Sequence, residues 1–253
     1  MYRSEFLDFM VRCGALLFGD YTLKSGRKSP YFINTGEYKT GLQLSRLGDF
    51  YAKLIHNSVC PQDKAGKVGE ELDASEQSSI NDLISAKFNV LYGPAYKGIP
   101  LVTATSVKLA ESGTNLKASY NRKERKDHGE GDLIMGYRPM AGDRIAIIED
   151  VTSAGTSVRE TVALLGDLGI EADVVALYIS VDRMERGTGN TPAIAQLKEE
   201  YGIEVHSIAT IEDIIDYLED TPPGCAQVPD AQRHAAGIRK YLELYGESAR
   251  KSR

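Results

Sequence analysis

Two adjacent carboxylates, Glu149 and Asp150, end an apolar run that begins at Arg144, and the chain then passes through Val151, Thr152, Ser153, Ala154 and Gly155 to Thr156 and Ser157. An apolar strand that feeds a turn of small and hydroxyl residues into a helix aims several backbone N–H groups and a helix N-terminus at one point. Such a point suits a phosphate dianion. Ser153, Thr156 and Ser157 add hydroxyl donors. Glu149 and Asp150 can accept hydrogen bonds from the vicinal hydroxyls of a ribose or hold a metal-bound water. One loop therefore offers a phosphate cradle beside a polyol reader, whereas a plain strand-to-helix turn capped by Thr or Ser would need no carboxylate pair. No G-x-x-x-x-G-K-[ST] occurs, and the dinucleotide-like start at Gly187 and Gly189 meets Pro192 where a final glycine belongs.

A second chemical segment is basic. Between Asn121 and Gly131 lie Arg122, Lys123, Arg125, Lys126 and His128, in a chain whose formal net charge is -6. So polar a stretch adds little to a core and should stay exposed until something anionic orders it. Its cations could stabilise negative charge on an anionic ligand, and closure would exclude water. Standing alone, it would read as a solvated charged turn. Three further segments carry polar groups in suggestive places. Lys24, Phe32 and Ile33 place a cation near an apolar packing surface, where a basic hairpin over an apolar strand is the plain alternative. Tyr96 and Lys97 lie in a Gly/Pro-bounded loop between a strand and a helix, where parallel sheets bind ligands. Asp182, Arg183, Glu185 and Arg186 follow another apolar strand, where a surface ion pair is the plain alternative.

Taken together these segments resemble a known family. The run Glu149 to Ser157 resembles the phosphoribosyl pyrophosphate motif of type I phosphoribosyltransferases, two acidic residues followed by a Thr/Ser-Ala-Gly-Thr loop. Glu149 stands where Asp is commoner and Ser153 where Thr is. The segment from Asn121 to Gly129 is similar, position by position, to the catalytic loop of orotate phosphoribosyltransferases, a more specific match. The resemblance implies that Tyr96, Lys97, Arg122, Lys123, Lys126 and His128 bind the pyrophosphate part of the donor. It implies that Glu149, Asp150, Val151, Thr152, Ser153, Ala154, Gly155, Thr156 and Ser157 bind its ribose 5-phosphate. Orotate would meet Lys24, Phe32, Ile33, Ser153 and Arg183, with Ile33 replacing a second aromatic residue. Lys123, Lys126 and Asp150 would be catalytic, and Mg²⁺ would be held mainly through substrate and water, near Glu149 and Asp150. The implied reaction joins orotate to the donor in pyrimidine (UMP) biosynthesis, in a homodimer whose basic loop serves the neighbouring active site. The alternatives are a phosphoribosyltransferase for another base and a regulator that senses the donor without turnover.

The elements that must position these residues alternate. Strand-like runs at 89–92, 116–120, 144–148, 173–181 and 204–208 interleave with helix-like runs at 99–110, 156–168 and 192–200. That order predicts an α/β fold with a mostly parallel central sheet flanked by helices, the type I phosphoribosyltransferase fold. Ahead of it, an amphipathic helix through Phe6, Phe9, Met10 and Cys13 and short strands at 15–18, 21–23 and 31–33 suggest a small antiparallel hood over about residues 1–40. A helix at 42–56 precedes a polar stretch, about 60–82, that reads as a surface insertion, and a helix at 231–245 lies in a tail with no assignable docking. The 253 residues are compatible with a single domain.

Composition narrows the function classes. The acidic balance argues against a surface built for nucleic acid. Cys13, Cys60 and Cys225 are far apart with no CxxC pair, so no disulfide framework or thiolate metal site is indicated. His56, His206 and His234 match no motif. Met1 to Asp20 lacks a signal-peptide pattern and no run approaches a membrane span, so a soluble cytoplasmic protein is expected.

Overall fold

The computed structural model describes residues 2–23, 26–60, 74–124, 132–152, 155–186 and 192–247. Helix α1 (Tyr2–Arg12) buries Phe6, Leu7 and Met10. Strands β1 (Leu16–Thr22) and β2 (Lys28–Ile33) form an antiparallel pair. The two short strands expected at 15–18 and 21–23 are one strand with an irregularity between Phe18 and Tyr21, because a bulge absorbs extra residues without ending the ladder. Helix α2 (Gly41–Val59) starts at a reciprocal capping box in which Thr40 and Gln43 satisfy each other's backbone N–H.

Helix α3 (Ala74–Lys87) occupies the end of the polar stretch at about 60–82, where a surface insertion with a short helix of its own is expected. Residues 61–73 lie outside the described set, but 74–82 open a helix whose Ile80 and Ile84 are buried. These two apolar residues, four apart, share one face of an otherwise polar helix, and Asn81 ties the same helix to the Ser112 carbonyl and the Thr114 hydroxyl.

Six strands form the main sheet: β3 (Val90–Gly93), β4 (Lys117–Asn121), β5 (Ile134–Gly136), β6 (Arg144–Thr152), β7 (Asp173–Asp182) and β8 (Glu204–Thr210). Their order is β5-β4-β3-β6-β7-β8, and every neighbouring pair is parallel except β4 with β5. The remaining helices are α4 (Gly98–Glu111), α5 (Thr156–Asp167), α6 (Ala193–Tyr201), α7 (Ile211–Glu219) and α8 (Ala231–Tyr245). Alternation along β6 supplies both layers of core. Ile145 and Ile147 pack with Val158, Leu165 and Leu197 on one face, while Ala146 and Ile148 join residues of α1, α2, α4 and α7 on the other.

Helix α7 was not anticipated, although Ile211, Ile214, Ile215 and Leu218 keep helical spacing and Thr210 with Asp213 forms a second capping box. The short strand β5 was not anticipated either. Helix α8 matches the expected span, and its place is now clear: it packs on α7 and β2.

Candidate active site

Four parallel strands, β3, β4, β6 and β7, deliver their following loops to one edge of the sheet. The connection from β3 leads outward to β4, whereas β6 leads the other way to β7 and β8. A crevice therefore opens between the ends of β3 and β6, the place where such sheets bind ligands. Across it, Lys97 Nζ lies 2.9 Å from Asp150 Oδ2. The loop that carries Tyr96 and Lys97 folds tightly back on β3. A Cβ on Gly93 would sit 2.2 Å from the Gly98 carbonyl oxygen, so this return needs a glycine. The Ala95 N–H donates to Asn121 Oδ1 at 2.9 Å and ties the same loop to the end of β4.

Strand β6 is longer than the expected 144–148, so both carboxylates stand inside it, with Glu149 opposite Ile179 and Val151 opposite Val181 of β7. Asp150 is 8% exposed. Its Oδ2 accepts from Lys97 and from the Thr35 hydroxyl at 2.7 Å, and its Oδ1 accepts from the Val151 N–H at 2.8 Å. The backbone beneath is pinned as well, since the Tyr51 hydroxyl donates to the Glu149 carbonyl and the Ser180 hydroxyl to the Asp150 carbonyl. Glu149 bonds to the Ser157 hydroxyl on the first turn of α5. The carboxylate and the first turn of α5 are thereby linked directly. The N-cap of α5 is Gly155, with φ 68°, and a Cβ there would lie 2.7 Å from Leu197 Cδ2. Neither the left-handed backbone nor the space admits a side chain. Thr156 is exposed on that first turn, placed to offer its hydroxyl outward.

Burial, the first cause, pushes the Glu149 carboxyl up to about 7; the neighbouring Asp150 charge adds to the shift, while the Ser157 hydrogen bond opposes it. Because the folded-state value is raised, the associated stability is complete below the ordinary carboxylate range and is lost as pH rises through about 7. Glu149→Gln, which cannot ionise, should therefore melt close to wild type at pH 5 and clearly above it at pH 8.5, by at most about 3 kcal/mol in the ligand-free protein. Thermal melts at both pH values check this, and an equal difference at the two would refute it.

Lys123 leaves the end of β4 and sets its ammonium 5.5 Å from the centre of the Tyr96 ring, itself 65% exposed. Beside it, the Arg122 N–H donates to the Leu133 carbonyl at 2.8 Å, while its Nη1 is buried with no partner among the described residues. Lys97, Asp150, Glu149, Ser157, Tyr96 and Lys123 are thus brought to one crevice. Lys24, Lys126, His128, Ser153, Ala154 and the side chain of Thr152 lie outside the described residues.

The segment expected to meet the base divides by strand alternation. Ile33 enters the core at 8% exposure, so its side chain packs inward instead of offering a surface to a ligand. Phe32 is on the other face, stacked on Tyr21 at 5.3 Å. Arg183 is 6% exposed, bonded through Nε to Glu185 Oε1 at 2.7 Å, with its guanidinium 4.5 Å from the Tyr31 ring centre. Arg186 ties its strand end to α8, donating from its N–H to the Tyr245 carbonyl at 3.0 Å.

Comparison with known proteins joins these arrangements to a family. The chain is 44% identical over 249 residues to the orotate phosphoribosyltransferase of Lachnoclostridium phytofermentans, covering 98% of this chain and 99% of that one. The chain belongs to the orotate phosphoribosyltransferase family. A crystal structure of the Francisella tularensis orotate phosphoribosyltransferase superposes with a TM-score of 0.71 at 30% identity, over 96% of this chain and 99% of that one. The Mycobacterium tuberculosis orotate phosphoribosyltransferase, solved in complex with 5-phospho-alpha-D-ribosyl 1-diphosphate, shares the fold at 20% identity and a TM-score of 0.51, over 84% of this chain and 98% of that one. No protein-family model matches the chain.

For a member of the orotate phosphoribosyltransferase family, the residues missed by motif reading are those that hold the acidic pair. Thr35 is 115 positions from Asp150 and Tyr51 is 98 from Glu149. Thr35 follows the Phe32 and Ile33 segment closely, the one local hint. Nothing near Tyr51 in sequence signals its role.

Proposed function

We propose that this chain transfers the 5-phosphoribosyl group from phosphoribosyl pyrophosphate to orotate, releasing pyrophosphate and forming orotidine 5'-monophosphate in pyrimidine biosynthesis. The observation that carries this reading is the pairing of Lys97 with Asp150 across the β3/β6 crevice, between the phosphate loop and the root of the basic loop. The donor's 5-phosphate fits the turn from Ser153 to Ser157, and its ribose hydroxyls fit Glu149 and Asp150, whose oxygens already accept O–H and N–H donors. Lys97 must give up part of its bond to Asp150 as the ribose takes that oxygen, which frees its ammonium for the pyrophosphate. By the family resemblance Lys126 and His128 join Lys123 and Arg122 as the cations that stabilise the charge of the leaving group as the anomeric carbon becomes oxocarbenium-like. Orotate attacks that carbon, held by Lys24, the Phe32–Ile33 segment, Ser153 and Arg183. No covalent enzyme intermediate is required, because positioning and charge stabilisation act on a donor with a good leaving group.

Mg²⁺ suits this site as a substrate-borne ion. Both oxygens of Asp150 already accept from protein donors, which leaves it suited to a water ligand of the ion rather than to direct coordination. Glu149 and Asp150 are the residues that would hold its water ligands. When bound, the ion supplies positive charge on the pyrophosphate oxygens and eases their departure.

The family resemblance also supports a homodimer with shared sites and a cytoplasmic location. No helix among the described residues is long and apolar enough to cross a membrane. The reaction is tested by measuring pyrophosphate release from Mg²⁺, phosphoribosyl pyrophosphate and one of orotate, uracil or adenine. Release with orotate alone is expected. Release with another base would transfer the assignment to that base, and donor binding without any release would make the chain a sensor.

A further inference from the structure

Behind the open crevice, the end of β7, the start of β2 and helix α8 enclose a buried charged cluster. Glu185 is at its centre, 6% exposed. Its Oε1 accepts from Arg183 Nε at 2.7 Å and from the Tyr241 hydroxyl at 2.9 Å, and its Oε2 accepts from Arg27 Nη1 at 3.0 Å. Arg183 Nη2, the other donor on a guanidinium's side-on edge, is buried with no hydrogen-bond partner among the described residues. The hydroxyl of Tyr31, whose ring underlies Arg183, is in the same condition.

A carboxylate beside an arginine ordinarily closes on both nitrogens of one edge, two parallel bonds being stronger and better aligned than one. Here the second oxygen of Glu185 is drawn away by Arg27. Arg27 is itself fixed, by Nη2 on the Arg186 carbonyl at 3.3 Å and by its guanidinium 5.2 Å from the Tyr245 ring centre. Tyr241 belongs to α8, and α8 is fastened to the same turn: the Arg186 N–H donates to the Tyr245 carbonyl at 3.0 Å, and the Glu247 N–H to the Met184 carbonyl at 2.9 Å. Met184 has a φ of 49°, a left-handed turn uncommon for a residue with a side chain, and it sits between the two partners Arg183 and Glu185. Leaving a buried guanidinium nitrogen unpaired is costly, and an arriving carboxylate would remove that cost. The directly bonded set of Arg27, Arg183 and Glu185 has one positive charge in excess. The nearby Asp182 spends an oxygen on the Met184 N–H.

We propose that Arg27 and Tyr241 are positioning residues that hold Glu185 so that one buried donor of Arg183 stays unpaired until the carboxylate of the base reaches it. This makes helix α8, the element with no assignable role in the linear sequence, part of the selection of an acidic base. The inference rests on the reading of Arg183 as the base-carboxylate contact.

Steady-state kinetics of the full-length enzyme, with orotate and phosphoribosyl pyrophosphate varied in turn, tests it. Arg27→Ala should raise the KM for orotate about tenfold or more, with kcat and the KM for the donor changing less than about twofold. Tyr241→Phe, which keeps the packing and loses only the hydroxyl, should raise the orotate KM about threefold, and Arg27→Lys should recover part of the Arg27→Ala loss. An unchanged orotate KM in Tyr241→Phe and Arg27→Ala, or equal rises in both KM values, would overturn the inference; Tyr241→Phe alone decides it if Arg27→Ala does not fold. Arg183→Ala separates the two levels. If it leaves the orotate KM where it was, the base-carboxylate reading fails; if it raises that KM and the other variants do not, only the positioning inference fails.

Discussion

Lys123→Ala should lower kcat by roughly two to three orders of magnitude, the cost of losing one preorganised charge-stabilising donor at a reacting centre. The residue is at the end of β4, exposed, with its ammonium over the Tyr96 ring and no carboxylate within ion-pair distance among the described residues. Its removal therefore breaks no buried network, and the melting temperature should change by no more than about 2 °C. That combination separates a role in the reaction from a role in the fold. The effect should fall mainly on kcat, because the charge it meets is largest as pyrophosphate departs. A variant that turns over at near-wild-type rate would remove Lys123 from the mechanism and leave the basic segment a solvated turn.

Asp150→Asn should lower kcat/KM for phosphoribosyl pyrophosphate by about a hundredfold or more, because the buried carboxylate serves three donors at once. An amide has one accepting oxygen and presents N–H groups where Lys97, Thr35 or Val151 already donate. Lys97 would lose its ion pair across the crevice, and the ribose would lose its acceptor. Kinetics with the donor varied check this; values within twofold of wild type would show that Asp150 does not read the ribose. The same variant examines the proposed shared sites. An equal mixture with Lys123→Ala, re-paired at random, should regain about a quarter of the wild-type activity, because about half of the dimers would be hybrids and one of the two sites in each would combine an intact Asp150 with a partner's intact Lys123. If Lys123 instead serves the chain whose Tyr96 it touches, confirmed hybrids will stay inactive.

Much of this architecture was legible because its signals are local. The alternation of Ile145, Ala146, Ile147 and Ile148 announces a strand buried on both faces, and the small residues after Asp150 announce a turn into a helix. Helix α7 has equally local signals in Thr210, Asp213 and its four apolar residues, yet its nine residues directly follow a strand and merge with it on a coarse reading. The polar stretch at 60–82 is read from composition, which describes what faces water; the docking of α3 rests on Ile80 and Ile84 and on bonds to distant residues such as Asn81 with Ser112 and Thr114.

The linear chain, then, already specified the alternating α/β order, the acidic pair at the end of an apolar strand and the helix that follows it, and Lys97 and Lys123 in loops after strands, since each depends on residue type and short-range spacing. Which groups those residues face was decided only by folding. Thr35 on Asp150, Tyr51 under Glu149, Ile33 turned inward while Phe32 stays outside, and Arg27 and Tyr241 sharing Glu185 all join distant positions or depend on strand register. Hydrogen bonds of that kind leave no periodic trace, because their geometry exists only once separate elements have packed.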